Sequence, residues 1–307
     1  MQTAYITHPD CLKHEMGAHH PESPQRLTAI EDQLLASGLL HHLRHYDAPL
    51  ATFEQLARVH TQHYIKTIEQ AAPKEGLIQL DPDTAMNPFT LNAALRAAGA
   101  VVLATELVME RKVANAFCAI RPPGHHACPA RAMGFCLFNN LAVGVAHAME
   151  KYGLQRIAIA DFDVHHGNGT EEIFRNEPRV MLCSTFQHPF YPHSGEEISS
   201  QNIINVPLPA GTSGTAFRKA ITEEWLPALE KFQPEMIYIS AGFDAHVEDH
   251  MSQLTLNEKD YTWITERIKE IADTHAHGRI VSVLEGGYAL HALGRSVAAH
   301  VRVLCGL

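Results

Sequence analysis

The 307-residue sequence has no CxxC pair among its six cysteines, no internal repeat, no low-complexity tract and no long linker. Without paired spacing, neither a zinc ribbon nor a disulfide framework fits. Several of Cys11, Cys118, Cys128, Cys136, Cys183 and Cys305 lie in apolar runs and read as reduced, buried thiols. No run reads as long and apolar enough to span a membrane. The opening "MQTAYITHPD" has neither the basic stretch nor the apolar core of a signal peptide, so a cytoplasmic protein is expected. Basic residues are scarce: 24 Lys and Arg stand against 34 Asp and Glu, a net charge of −10. That balance argues against direct nucleic-acid binding by bulk electrostatics and leans toward a cationic substrate, though an ordinary acidic protein shows the same.

What the chain does have is hydrophobic material, 46% of its residues, enough for a sizeable core. Short apolar runs recur at 3–7, 114–120, 156–164, 179–186, 203–208, 236–244 and 279–287. Several are continuous rather than alternating, as strands buried on both faces are. Helical patterns separate them: Pro24–Ala36 after Ser23 as N-cap, an Ala-rich stretch at 88–111, and segments near 140–152, 213–231, 257–274 and 289–304. This alternation predicts an α/β fold, one domain over 1–307, with a parallel sheet between helices.

Polar clusters fall at the ends of four runs. "DFDVHHGNGT" (161–170) follows "RIAIA", and alternation there sends Asp161, Asp163 and His165 to one side and Phe162 and Val164 to the other. "RPPGHHA" delivers His125 and His126, "AGFDAH" delivers Asp244, and "EGGY" places Tyr288 after two glycines. Carboxylates and an imidazole converging in a cleft repel one another unless a cation lies between them. Two Asp and one His suit Zn²⁺ or Fe²⁺, and three protein ligands leave a position for water, which the metal acidifies. A nearby His to take a proton and a Tyr hydroxyl to meet a developing oxyanion complete the set for hydrolysis of an amide or ester. Each piece alone has a blander reading: a surface His pair in a chain with 22 histidines, a helix-capping Asp, a packing Tyr.

"RPPGHHA", "GFCLFNN" (134–140), "DFDVHHGNGT", "AGFDAH" and "EGGY" resemble, in order, the motifs of zinc-dependent histone deacetylases and acetylpolyamine amidohydrolases, in their class II form. The resemblance runs from about residue 19 to the C-terminal helix. It implies the arginase–deacetylase fold, a central parallel sheet of about eight strands with helices on both faces. It further implies Asp163, His165 and Asp244 as zinc ligands and His126 as general base and acid, beside His125 held by Asp161. Asn168 stands where class I members have an aspartate. Tyr288 is implied as the oxyanion donor, and Gly134, Phe135, Phe190 and the rim residue Met251 as the walls of an acyl-lysine-sized tunnel. A structural K⁺ or Na⁺ is implied at Asp161, Asp163, the His165 carbonyl and Ser184, with a second site near Phe174 and Val180.

Three spacings read as decoys. His246 and His250 lie four apart without an HExxH motif, and His41, His42 and His45 fall in an apparent surface loop. Cys128 and Cys136 lack a base that would make either a nucleophile. Arg26 is read either as a buried structural charge or, by resemblance, as lining an inner acetate channel. The expected activity is removal of an acyl group from lysine side chains or similar amines. The alternatives are an acetylpolyamine or small-metabolite amidohydrolase, a metal-bound acyl-lysine reader, and an arginase-like di-metal hydrolase with too few ligands here. Glu248 and Asp249, in the rim loop "HVEDHMSQL", are candidates to attract a second positive charge or to be solvated loop acids. Oligomeric state and acyl preference are not legible.

Overall fold

A computed structural model describes residues 2–196 and 201–307. The strands are β1 (Thr3–Thr7), β2 (Leu43–Asp47), β3 (Ile78–Asp81), β4 (Thr84–Met86), β5 (Ala116–Cys118), β6 (Ile157–Asp161), β7 (Val180–Gln187), β8 (Ile203–Leu208), β9 (Met236–Ala241) and β10 (Ile280–Leu284). Eight of them form one sheet in the order β2-β1-β5-β10-β9-β6-β7-β8, while β3 and β4 make a separate antiparallel hairpin. Every pairing in the large sheet is parallel. All residues of β5, β6, β7, β9 and β10 are buried, which explains their unbroken apolar runs.

The helices are α1 (Gln25–Ala36), α2 (Phe53–Leu56), α3 (Gln62–Ala71), α4 (Thr90–Met109), α5 (Asn140–Tyr152), α6 (Asn168–Phe174), α7 (Gly214–Ala220), α8 (Leu226–Phe232), α9 (Glu258–His275) and α10 (Leu290–Leu304). A π-helical turn at Ile221–Trp225 joins α7 to α8. Contrary to expectation, one helix does reach the length and apolarity of a membrane span. It is α4, and it lies against β1, β5, β10 and α5 with its alanines and valines in the core. Its apolarity belongs to a helix packed in protein.

Three further differences from expectation have physical causes. Pairing ends at Cys118, Asp161, Ala241 and Leu284, two to three residues before the apolar runs suggested. Past those points the chain leaves the sheet while Asp163, His165, Asp244 and Glu285 stay buried. β2 was missed because it is an edge strand, exposed along most of its length, with no apolar face to announce it; His45, expected in a loop, lies on it against Tyr5. Ser23 does not cap α1 with its side chain; its carbonyl accepts the Arg26 N–H, and Pro24 sits at the cap position.

Candidate active site

The four polar tails meet at the C-terminal edge of the sheet, where open α/β sheets place their ligands. β6 lies between β9 and β7, with Asp161 in register with Ser240 and Ser184. Alternation carries Phe162 down onto Phe243, Tyr261 and His300, leaving Asp161, Asp163 and His165 on the opposite side. Backbone N–H groups fix the carboxylates. Asp161 accepts from Asp163 N–H (3.1 Å), Asp163 from His165 N–H (2.9 Å) and Gly286 N–H (2.8 Å), and Asp244 from Val164 N–H (3.1 Å).

Asp163, His165 and Asp244, all buried, offer ligand atoms within 4.8 Å of one another. Both carboxylates approach the same atom, His165 Nδ1, at 3.2 Å. Asp244 Oδ2 is buried and has no polar contact beyond that ring. Burial lowers the His165 pKa, but Asp163 and Asp244 outweigh it and raise it to about 10; burial and the Asp163 charge raise Asp244 to about 6. The cluster therefore attracts positive charge, and its oxygen–nitrogen donor set fits a divalent transition metal. Gly286 is required here: a Cβ would sit 2.0 Å from Asp244 Oδ2 and 2.7 Å from Asp163 Oδ2.

The histidine pair stands beside this cluster. Glu285 Oε2 accepts the N–H groups of Gly124 (2.7 Å) and His125 (3.1 Å), fixing the turn that carries them. His125 Nδ1 is 3.1 Å from Asp161 Oδ2, and His126 Nδ1 is 2.9 Å from Asn168 Oδ1. The two rings lie 4.0 Å apart. Burial opposes charge on His125, yet Asp163 and Asp161 raise it to about 10. Burial, together with His125 and His165, holds His126 well below the ordinary imidazole range, so it is a neutral ring able to accept a proton. Burial also raises the Tyr288 hydroxyl well above the usual phenol value, keeping it a donor. His126, His165 and Tyr288 line one cavity of ≈ 390 Å³ together with Phe135, Phe190 and Met251. Phe190 stacks on His165 (ring centroids 5.5 Å, 19°), and Phe135 meets Tyr288 edge-on at 5.9 Å.

Comparison with known proteins identifies the family. The histone deacetylase domain family matches residues 20–304. The chain belongs to the histone deacetylase family. A probable deacetylase of Archaeoglobus fulgidus is 39% identical, over 94% of this chain and 82% of that one. The mouse polyamine deacetylase HDAC10 is 36% identical over the whole of this chain and 48% of its own length. A crystal structure of the HDA15 HD domain superposes with a TM-score of 0.93 at 32% identity, covering 100% of this chain and 90% of that one. The fold is the arginase–deacetylase fold, and the activity is that of a hydrolytic deacetylase.

Within this deacetylase the tunnel residues hold surprises. Gly134, expected to leave room for substrate, lines the cavity and also makes room for His126: at φ +57, a Cβ would sit 2.3 Å from His126 Cδ2. Phe135 follows with φ 67, a left-handed backbone that a bulky residue adopts only under constraint. Three wall residues were missed. Tyr191, adjacent to Phe190, was legible in "HPFYPHSG"; Asp83 on the turn between β3 and β4 carried no signal; His250 was set aside as a decoy, yet it lines the cavity, outside the ligand cluster. His246 is buried, with Nε2 3.6 Å from Glu258. The two rim acids are committed elsewhere. Glu248 pairs with Arg295 at 2.5 Å, and Asp249 is buried with its carboxylate on the backbone of Tyr288 and Ala289. Asp249 is held by the backbone, while Glu248 remains half-exposed and shares Arg295 with Glu258.

Other expectations resolve as follows. Burial raises the thiol pKa of Cys136 well above its usual value and that of Cys128 to about 11, so neither is an activated nucleophile. Arg26 is fully buried, donates from Nε to the Gly287 carbonyl (2.7 Å) and lies 4.9 Å from the Tyr288 ring centroid. At the first monovalent-cation site, Ser184 Oγ is buried without a partner next to Asp161, which fits a cation there. The second site does not fit. The Phe174 and Val180 carbonyls, with that of Glu177, converge on Asn202 Nδ2 at 3.0, 3.1 and 3.2 Å. An amide nitrogen takes the place of an ion.

Proposed function

We propose that the chain hydrolyses the acyl amide of an acetylated lysine side chain, using Asp163, His165 and Asp244 to hold a zinc ion. The supporting observation is that a neutral His126, Tyr288 and His165, one member of the three-ligand cluster, line one largely apolar cavity. When bound, the metal supplies acidification of water and polarisation of the acyl carbonyl. His126 takes the proton of the attacking water at Nε2, since Nδ1 faces Asn168 Oδ1, and returns it to the leaving amine. His125, its charge matched by Asp161, supplies positive charge beside the reacting atoms. Tyr288 donates to the oxygen that becomes negative. Phe135 and Phe190 enclose the aliphatic stem and exclude water. Asp161 and Ser184 hold a monovalent cation beneath the cluster.

An acetylated polyamine presents the same amide on the same kind of stem, and a relative's name points that way. Against electrostatic selection of a polyamine at the rim stands the commitment of Glu248 to Arg295 and of Asp249 to the backbone. Acetate release from an acetyl-lysine peptide and from acetylputrescine, measured side by side, tests the choice; faster turnover of acetylputrescine overturns it. For the mechanism, Tyr288→Phe keeps the ring and the metal but lowers kcat by roughly 10²–10³. A hydroxamate, anchored at the metal, still binds the variant. Unaltered kcat with metal retained removes Tyr288 from the chemistry.

A further inference from the structure

Tyr288 is delivered by an unusual piece of backbone. Two glycines precede it, Gly287 has φ +123, and α10 begins at Leu290 with no side-chain cap from its own cap residue, Ala289. Glycines leave the backbone loose, and the first N–H groups of a helix need acceptors. One side chain ties down the backbone just ahead of the helix. Asp249 Oδ2 accepts the N–H of Tyr288 at 2.6 Å and the N–H of Ala289 at 3.0 Å, placing a carboxylate at the positive end of α10. Its other oxygen accepts the Met251 N–H at 2.9 Å, and its own N–H donates to the His246 carbonyl at 2.8 Å. Ser252 ties the same loop back to the metal ligand by donating to the Asp244 carbonyl at 2.6 Å. Asp249 is 5% exposed. The loop from Asp244 to Ser252 thus joins a metal ligand, the cavity wall at Met251 and the backbone of Tyr288 through one buried carboxylate.

We propose that Asp249 is a positioning residue: it fixes the Tyr288 backbone so that the hydroxyl stands where negative charge develops, and it sets the Met251 wall in the same act. The proposal rests on Tyr288 acting as the oxyanion donor. A displacement of about 1 Å in such a group costs roughly 10²-fold in rate. Loss of the clamp therefore lowers kcat through Tyr288 rather than through metal or substrate binding.

The test is a double-mutant cycle on kcat with an acetyl-lysine peptide, using Asp249→Ala, Tyr288→Phe and the double variant, with metal content and melting temperature measured for each. Asp249→Ala is expected to lower kcat about 10- to 100-fold with metal retained and KM changed less than about threefold. In the Tyr288→Phe background the same change costs less than about threefold more, because the misplaced hydroxyl is already gone. Asp249→Asn keeps one acceptor oxygen for the Tyr288 and Ala289 N–H groups and recovers about half of the loss on a logarithmic scale. If Asp249→Ala does not yield folded protein, the cycle is run with Asp249→Asn, whose loss must likewise vanish in the Tyr288→Phe background. Full additivity, or a kcat that falls only in proportion to metal content, overturns the clamp and leaves the role of Tyr288 intact. If Tyr288→Phe itself loses nothing, both fall together.

Discussion

Two clusters of buried charge lie at this end of the sheet, and they are balanced in opposite ways. In one, Glu22 sits between two guanidiniums: Arg121 Nη2 donates at 2.6 Å and Arg26 Nη1 at 3.1 Å, with His14 Nε2 at 3.4 Å, and all four residues are fully buried. Further donors of Arg121 end on the carbonyls of Cys11 (2.7 Å) and His14 (3.1 Å). The other cluster gathers Asp161, Asp163 and Asp244 around imidazoles, gives Asp244 Oδ2 no contact but the His165 ring at 3.2 Å and raises neighbouring histidines toward charge. In the first cluster the carboxylate and both guanidiniums are paired from within the chain, and His14 Nε2 is left without a hydrogen bond. The second sets three carboxylates against the charged rings of His125 and His165 and has room in its donor set for a cation from outside. They touch through Arg26, which lies against Tyr288 and the Gly287 carbonyl. One cluster holds structure, the other is the proposed reaction site, and the boundary between them is the "EGGY" segment.

The largest effect is expected where the second cluster is broken. Asp244→Ala removes one of three ligands and the acceptor for Val164 N–H. Metal retention and turnover should both be abolished, as read by elemental analysis and acetate release. Full zinc occupancy in that variant removes Asp244 from the ligand set.

Breaking the first cluster should cost stability instead. Glu22→Ala strands two buried guanidiniums, and loss of one partner from a buried ion pair costs about 3–5 kcal/mol. Chemical denaturation measures it. The pH dependence has a definite sign. Burial alone would raise the Glu22 pKa, but Arg121, His14 and Arg26 hold it well below its ordinary value near 4.5. A depressed carboxylate contributes stability above its unfolded pKa and loses it as pH falls through the folded one. The wild-type chain therefore loses stability on acidification below about 4.5, and Glu22→Gln flattens that limb. Equal acid limbs in the two proteins show that Glu22 is not a source of the acid sensitivity.

The two clusters were not equally legible in the sequence. Asp161, Asp163, His165 and Asp244 stand at the ends of apolar runs, where alternation and strand polarity say in advance which way they face. Glu22, Arg26 and Arg121 come from an N-terminal loop, a helix and a turn, and no spacing announces that they meet. Asp249 illustrates the same limit. A polar loop residue between Glu248 and His250 looks solvated, and only the path of the chain past α10 shows it buried against a backbone 40 residues away. The sheet followed from apolar runs wherever both faces are buried; the exposed edge strand β2 and the β3–β4 hairpin did not, because burial is what writes the pattern.

The smallest expected effect sharpens the comparison at a third place, where neutral groups do what the charged clusters do elsewhere. Asn202 Nδ2 has two hydrogens to share among the carbonyls of Phe174, Glu177 and Val180. Three carbonyl oxygens around one point are also what a potassium ion binds, so amide and ion are rivals for the same position. Asn202→Ala leaves those carbonyls without that donor, at a cost of about 1–3 kcal/mol. A monovalent cation can then enter and recover part of it. The variant should melt lower than the wild type in a buffer whose only cation is tetramethylammonium, and the gap should narrow on adding K⁺, since ligands that bind only the folded state stabilise it. The variant's K⁺ response in excess of the wild type's isolates this position from any other K⁺ effect. An identical K⁺ response in the two proteins shows that the amide is not standing in for an ion.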